Sequence, residues 1–478
     1  MKGIESIKAS FKTRQVKYGG YAALLTLAVI AGLILLNLLA GQLSLQVDMT
    51  AGKVFSLSEQ TIQVLGGIAS PVKFYGLWRP GEEDKTVMDV INLYLSKGRS
   101  ISMEQIDPDR NPGFVMRYDK NKTGISRGSL IVEGAKGFKV IAPQDMYDIS
   151  QSPSGGGSIT GVAVERRITG ALLFAGTGVT PVVYEITGHS EIFLSALGLK
   201  EAVERENYTL QTLNLLTAEI PPDASAIIIN NPLKDLNGGE AEKLLNYLEK
   251  GGRLLVLADY NIQELKNMNT VLASYGIEFN YGIVHETDPF YVAIDPRTEW
   301  PDLSDHEITR PLADKTKKPV VLIEAMSLSV LETKRRSLEI SPLLTTSGAS
   351  FLRTDINETS SARMPSDISG PLILGAAIKD PSWAQGSDPQ ARLVVIGSGS
   401  ILILGAQAFE ANNDLFMNSL TWLEDRPETI SVRSKSLFLL PMRINLAQVI
   451  IFGLLFILII PLAFFAAGFI TWLKRRHL

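Results

Sequence analysis

Two short polar groups in this 478-residue chain have residue types and spacing suited to chemistry. Gly188-His189-Ser190-Glu191 follows the apolar run VVYEI, and Gly397-Ser398-Gly399-Ser400 follows LVVI. Open α/β sheets bind ligands at the carboxyl ends of their strands, and Gly/Ser turns there can offer backbone N–H groups to an anion. We therefore predict a ligand cleft lined by Gly188, His189, Ser190, Glu191, Ser398 and Ser400. Structural turns that open helices are the competing interpretation.

Motifs for catalysis are otherwise missing. The sequence has no G-x-x-x-x-G-K-[ST] loop, which argues against an ATPase, and no cysteine for a thiol nucleophile or a thiolate metal site. Its four histidines show no H-E-x-x-H spacing. The string Gly124-Ile125-Ser126-Arg127-Gly128 matches G-x-S-x-G, but it precedes a strand-like segment where a serine elbow requires a helix. We predict no catalytic residue, cofactor or metal; a membrane-anchored hydrolase or glycan-active enzyme is the alternative.

Two apolar segments without charge dominate the ends of the chain, at residues 22–43 and 446–473. Each is long enough to cross a hydrocarbon core of about 30 Å, so we predict one transmembrane helix at each end. Five bases lie in residues 1–21 and three in 474–478, which places both ends in the cytoplasm. The expected location is the bacterial inner membrane, with the intervening module periplasmic. A cleaved secretory signal is the alternative for the first segment.

The module between the two helices is acidic. Without the eight bases of the two ends and Glu5, the chain retains 38 Lys and Arg against 49 Asp and Glu. Nucleic acid and anionic lipid both require a basic surface, so we predict that neither is the main ligand of the module.

Hydrophobic patterns predict an α/β module of two lobes, at residues 44–160 and 161–430. In the first lobe helices alternate with strands, and a Gly/Ser stretch at 150–161 predicts a separating loop. In the second lobe, apolar runs at 182–186, 208–213, 226–229, 254–258 and 392–396 alternate with helices, which indicates a parallel sheet covered on both faces. Residues 277–390 have weaker signals and predict a less regular insertion, with a mobile loop at 353–371. Residues 431–445 form a juxtamembrane linker.

A set of weak motifs in order along the chain resembles the GldG family of auxiliary subunits of bacterial ABC exporters, first associated with gliding motility. The shared motifs, between one helix near each end, are Asp48-Met49-Thr50, FSLS at 55–58, ERRITGA at 165–171, YEITGHSE at 184–191, GGRL at 251–254, NDLFMNSLTWL at 413–423 and Trp472. The resemblance implies partnership with a separate permease and, indirectly, a separate ATPase. It also implies a flavodoxin/glutamine-amidotransferase-like second lobe without activity, since the nucleophilic Cys is missing.

Membrane docking is the function that the resemblance implies for the end helices. Asn37 could hydrogen-bond to a neighbouring helix, and small residues would permit close approach. The predicted permease contacts are Asn37, Asp48, Thr50, Ala463, Ala467, Gly468 and Trp472. The two helices could instead pair with each other. We expect a non-catalytic accessory subunit that contacts membrane lipid and permease, while its module receives substrate, gates exit or binds an envelope partner.

Overall fold

The computed structural model describes residues 21, 24–35, 56–119, 124–151, 157–260, 264–313, 319–355, 358, 360, 362–381, 390–407, 409–425, 435–436 and 453–476. The chain divides into two compact units, residues 1–56 and 57–478. In the first unit, helix α1 is apolar and runs from Leu24 to Leu35. Asn37, Asp48 and Thr50 lie outside the described residues.

The second unit begins with a four-stranded sheet. Its elements are α2 (Glu59–Gly67), β1 (Val72–Gly76), α3 (Lys85–Lys97), β2 (Ile101–Gln105), α4 (Pro112–Tyr118), β3 (Leu130–Gly134) and β4 (Gly137–Ile141). The strands lie in the order β2-β1-β3-β4, with β1 and β2 parallel. The Ser58 side chain accepts a hydrogen bond from Thr61 N and caps α2, as the sequence predicts.

A hairpin replaces the loop predicted at 150–161. β5 (Tyr147–Gln151) pairs antiparallel with β6 (Gly157–Val162), so both ends of the Gly/Ser stretch are in strands. Helix α5 (Val164–Thr177) follows directly and packs against β3 and β4. The loop prediction is therefore wrong at the two ends of the stretch, where strand pairing satisfies the backbone, and residues 152–156 lie outside the described residues.

Among the described residues, the remaining elements include the ten strands of a larger sheet, five strands of two smaller sheets, one strand that pairs with β6, and six α-helices. They are β7 (Val182–Ile186), α6 (Lys200–Arg205), β8 (Thr209–Leu213), β9 (Ala224–Asn230), α7 (Gly238–Glu249), β10 (Arg253–Leu257), α8 (Lys266–Ala273), β11 (Ile277–Asn280), β12 (Ile283–His285), β13 (Thr298–Glu299), β14 (Asp302–Leu303), β15 (Leu322–Ile323), β16 (Ser327–Val330), β17 (Glu339–Thr345), β18 (Phe351–Arg353), β19 (Ile368–Ser369), β20 (Ile373–Asp380), β21 (Ala391–Ile396), α9 (Ile401–Gln407), α10 (Glu410–Leu423), β22 (Lys435–Ser436) and α11 (Ile460–Arg476).

Five strands of this sheet are parallel, and they correspond to the five apolar runs of the sequence. Their spatial order is β8-β7-β9-β10-β21. Numbered along the chain this is 2-1-3-4-5, an order whose switch point lies between the first and third strands. Alternate residues face opposite sides: Val183 and Ile228 pack with α6, α9 and α10, whereas Ile227 and Val256 pack with α7 and α8. Both faces are therefore covered, as predicted.

Residues 277–390 are more regular than the sequence indicates. β20 pairs antiparallel with β21, β16 and β17, and β16 pairs with β11, so the parallel sheet continues as an antiparallel one. The loop predicted at 353–371 is anchored at both of its ends. The Arg353 guanidinium is 1% exposed and donates to Asp367 Oδ2 at 2.8 Å. Strands of two to four residues between polar turns are too short to show an alternating apolar pattern, so the sequence does not reveal them.

The apolar C-terminal segment is helical from residue 453, through a π-helix at Leu454–Ile459, into α11. Leu454–Leu473 is long and apolar enough to cross a membrane, and none of its apolar stretch is buried in the chain. Among the described residues, no other helix is both long and apolar enough to do so. The rest of the predicted segment, 446–452, lies outside the described residues.

Candidate functional site

The predicted cleft residues all lie at the carboxyl edge of the parallel strands. Gly188 to Glu191 follow β7, and Ser398 and Ser400 follow β21. The strands β9 and β10 lie between β7 and β21, which puts three interstrand spacings, about 14 Å, between the two groups. The structure therefore separates them into two clusters along one edge.

His189 is the centre of the first cluster, at the switch point. Its Nδ1 is 2.9 Å from Glu191 Oε1, and its Nε2 is 3.0 Å from Glu240 Oε2. Its backbone N–H donates to Glu191 Oε2 at 2.8 Å. All three residues are at most 8% exposed. Both ring nitrogens thus face carboxylate oxygens in a place that water hardly reaches.

This geometry assigns a protonation state to His189. A neutral imidazole has one donor and one acceptor nitrogen, so one lone pair would point at a carboxylate; an imidazolium donates from both. The hydrogen bond to Glu191, together with that to Glu240, raises the pKa of His189 above its ordinary value. The ring is best described as a buried imidazolium between two carboxylates, a protonation state assigned from its hydrogen-bond partners.

Local sequence features position the loop and the helix that surround His189. Glu240 is the third helical residue of α7 and forms a capping box with Asn237, whose backbone N–H also donates to Glu240 Oε2. Gly188 has φ +122°, a conformation that favours glycine, and a Cβ there would approach the Asn214 side chain. The backbone N–H groups of Leu233 and Lys234 donate to His189 O. His189 therefore joins the loop after β7 to the loop and helix after β9.

A third buried acid, Glu185, lies in the strand that leads to this cluster. Glu185 in β7 is 2% exposed, and its Oε1 accepts a hydrogen bond from Leu194 N at 2.5 Å. Burial, reinforced by the charge of Glu191, raises the pKa of Glu185.

Asp259 is the centre of the second cluster. Its Oδ1 accepts from Gly399 N at 2.7 Å and Ser400 N at 2.9 Å. Its Oδ2 accepts from Ser400 Oγ at 2.6 Å and Asn231 Nδ2 at 2.8 Å. The Gly/Ser turn does offer N–H groups to an anion, and that anion is a carboxylate of the chain itself.

Close packing explains the glycine of this turn and the place of Ser398. A Cβ on Gly399 would lie 2.5 Å from the Asn231 side chain, so no larger residue fits without movement. Ser398 is fully buried, and its hydroxyl reaches Ile323 O at 3.3 Å and Asp259 Oδ1 at 3.4 Å, both long contacts. Ser398 and Ser400 therefore fix the turn to the strand-end carboxylate.

Asp259, Asn231 and Glu240 are the residues that sequence reasoning missed. Asp259 and Asn231 stand just after the apolar strands β10 and β9, where polar residues meet the sheet edge. The Asn237-to-Glu240 spacing is a capping-box pattern visible in the sequence. Among the described residues, no group of three His, Asp or Glu side chains could hold a metal ion.

The predicted membrane contacts that the structure describes lie on α11. Ala463, Ala467, Gly468 and Trp472 are all exposed in the chain. A Cβ on Gly468 would meet no heavy atom within 4 Å. The Trp472 ring stacks on Phe469 with centroids 5.8 Å apart, and the Arg476 guanidinium lies 5.4 Å above Trp472. The surface of this helix is therefore available for lipid or another helix.

Comparison with known proteins identifies the family. The profile of the auxiliary family described as "ABC-type uncharacterized transport system" matches residues 180–419, which is half of the chain. The chain belongs to this family. The match covers the large sheet and both strand-end clusters, and it gives the protein an accessory role in an ABC transport system with permease and ATPase components. The family assignment is broader than the GldG resemblance, which stays a prediction.

Solved structures give weaker likenesses. The N-terminal domain of mmIFT52 has a TM-score of 0.36 and 20% identity, over 51% of this chain and 96% of that one. The exo-beta-1,4-mannosidase Op5Man5 from Opitutaceae bacterium strain TAV5 has a TM-score of 0.26 and 10% identity, over 71% of this chain and 47% of that one. Both TM-scores are under 0.5, so neither carries an argument about function. No curated protein matches the chain.

Proposed function

We propose that this member of the family is a non-catalytic accessory subunit of an ABC exporter. Helices near its two ends dock on the permease, and the module at 44–430 is presented on the periplasmic side. The proposal rests on the polar groups at the carboxyl edge of the parallel strands, which lie within the region that matches the family. Its polar groups bind one another: His189 contacts Glu191 and Glu240, and Asp259 fills the Gly/Ser turn. An enzyme would instead need a nucleophile and a base directed at substrate.

The sheet edge acts in this proposal as a rigid frame. Buried polar groups that hydrogen-bond to one another hold loops in one arrangement, which suits a surface that must be presented to a partner. The acidic balance of the module favours a basic or neutral partner surface, in the exported substrate or in the envelope. The strand order 2-1-3-4-5 is compatible with the flavodoxin/glutamine-amidotransferase-like lobe that the family resemblance implies.

Gly468→Leu in full-length protein tests the docking helix. Because a Cβ at this position meets nothing within 4 Å, the larger side chain leaves the chain's own packing unchanged. We expect it to reduce co-purification of the permease and ATPase in mild detergent at least about tenfold, the effect of about 1.4 kcal/mol at a close helix contact.

Gly453→Leu is the matched control, since Gly453 also has no atom near its Cβ and lies at the start of the same helical segment. It should leave the complex intact. Equal recovery of permease with both variants contradicts docking through the Gly468 face.

The orientation is tested by labelling a single cysteine. The chain has no native Cys, so Met116→Cys places one thiol at a residue that is 75% exposed. A membrane-impermeant maleimide should label it in spheroplasts without lysis, and the cysteine-free chain is the control. Labelling only after lysis would place the module in the cytoplasm and contradict the proposed location.

A further inference from the structure

Glu299 is a buried carboxyl group outside the two strand-end clusters. It is 1% exposed, and neither of its side-chain oxygens has a hydrogen-bond partner among the described residues. It lies in β13 opposite Leu322 of β15, and directly opposed residues of a ladder share one face. Leu322 is fully buried in the apolar core. The Glu299 side chain is therefore on the core side of its strand.

The surroundings of Glu299 supply negative charge. Glu286 is fully buried, and its oxygens accept from Ser347 Oγ and from the N–H groups of Ser347, Thr287 and Asp288. Asp295 lies in the turn before β13, and Glu324 follows β15. Arg297, two residues before Glu299, is 2.9 Å from Glu324. Among the described residues Glu299 has neither a hydrogen-bond nor an ion-pair partner, so burial among acids favours its neutral form and raises its pKa.

Glu299 belongs to a segment that exposes large apolar side chains. Residues 286–302, here the 286–302 hairpin, fold back on themselves through Ala293 N to Thr298 O at 2.9 Å and Trp300 N to Tyr291 O at 2.7 Å. Phe290, Ile294 and Trp300 are 87%, 70% and 45% exposed. Glu299 alternates with Trp300 along the strand, so one side chain faces the core and the next faces solvent.

We propose that neutral Glu299 is a proton-dependent latch that holds the 286–302 hairpin against the core, and that its ionisation releases the hairpin. An ionised carboxylate beside Leu322 and near Glu286 is shielded from water and has no partner among the described residues, whereas in the released hairpin it is hydrated. The position of Phe290, Ile294 and Trp300 then depends on pH. The inference is independent of the proposed transport role, because it concerns this segment alone.

Hydrogen exchange on the full-length protein in detergent tests the latch. Between the ordinary pKa of Glu and the raised pKa, the population of the released hairpin should grow about tenfold for each pH unit. Measured from pH 5 to 8 and corrected for intrinsic exchange rates, protection of the Glu324 amide, which donates to Arg297 O and so joins the hairpin to the end of β15, should fall with that slope. Amides of β9 should show no such slope and serve as the internal reference.

Glu299→Gln removes the titration while keeping the shape of the neutral acid, so the pH slope at the Glu324 amide should disappear. Glu299→Leu gives the same test with an apolar side chain if the glutamine variant fails to fold. Glu307→Gln, at an exposed acid nearby, is the matched control and should keep the wild-type slope. A flat wild-type profile, or an unchanged slope in both Glu299 variants, overturns the latch.

Discussion

The buried imidazolium of His189 predicts how His189→Ala changes stability. The substitution leaves Glu191 and Glu240, which are 8% and 3% exposed, facing each other without the cation between them. Removing one partner of a buried ion pair typically costs about 3–5 kcal/mol. We expect a loss of that order in the free energy of unfolding of the full-length protein, measured by chemical denaturation in a mild detergent.

The pH dependence of the stability difference separates the effect of the His189 charge from the effect of lost packing. The pKa of His189 is raised in the folded state, so its contribution to stability is complete below the unfolded pKa of about 6.5. That contribution is lost as the pH rises through the folded pKa, with a slope of about 1.4 kcal/mol per pH unit between the two pKa values. The stability difference between wild type and His189→Ala should therefore shrink from pH 6 towards pH 9.

Two companion variants make the result specific. Adding Glu240→Gln to His189→Ala removes one of the uncompensated charges and should restore part of the lost stability. His306→Ala is the control, because burial lowers the pKa of His306 and its contribution has the opposite sign with pH. A wild-type to His189→Ala difference that stays constant from pH 6 to 9 would refute the imidazolium assignment.

The other two predictions concern carboxylates that anchor loops. Asp259→Ala should lower the free energy of unfolding by about 2–3 kcal/mol, because Gly399 N and Ser400 N lose their acceptor. Asp259→Asn should lower it less, since one side-chain oxygen remains. Thermal unfolding of the two variants measures the difference. Asp367→Asn should cost about 3–5 kcal/mol at neutral pH by leaving Arg353 buried without its counter-ion. The hydrogen bond to Arg353 lowers the pKa of Asp367, so this contribution is present above the ordinary Asp pKa of about 3.9 and is lost as the pH falls through the folded value. An Asp367→Asn variant as stable as wild type at pH 7 would contradict the prediction for Asp367. Equal losses of stability in Asp259→Ala and Asp259→Asn would contradict the prediction for Asp259.

The five parallel strands could be predicted because each is a continuous apolar run between helices. Both faces of such a strand are buried, so an unbroken run of apolar residues indicates its position inside the sheet. The antiparallel half of the sheet could not be predicted in the same way. β16 and β17 have mixed burial and pair with residues far along the chain, and no local pattern encodes a partner.

The candidate site shows the same division. The position of His189 and of the Gly/Ser turn at strand ends follows from the order of apolar runs and glycines. The sequence leaves open whether those groups face a ligand or one another, because Glu240 is 51 residues from His189 and Asp259 is 139 residues from Ser398. From the sequence alone, the two polar strand ends are therefore compatible with a ligand cleft and with structural turns.

By itself the sequence determined the apolar end segments, the acidic module, the absence of cysteine and the α/β alternation, since each depends on composition or on spacing along the chain. Only the tertiary structure decided that His189 lies between two carboxylates, that Asp259 occupies the Gly/Ser turn, and that Glu299 is buried without a partner. Burial and electrostatic pairing depend on which distant strands become neighbours, and that choice is made by the packing of the whole chain.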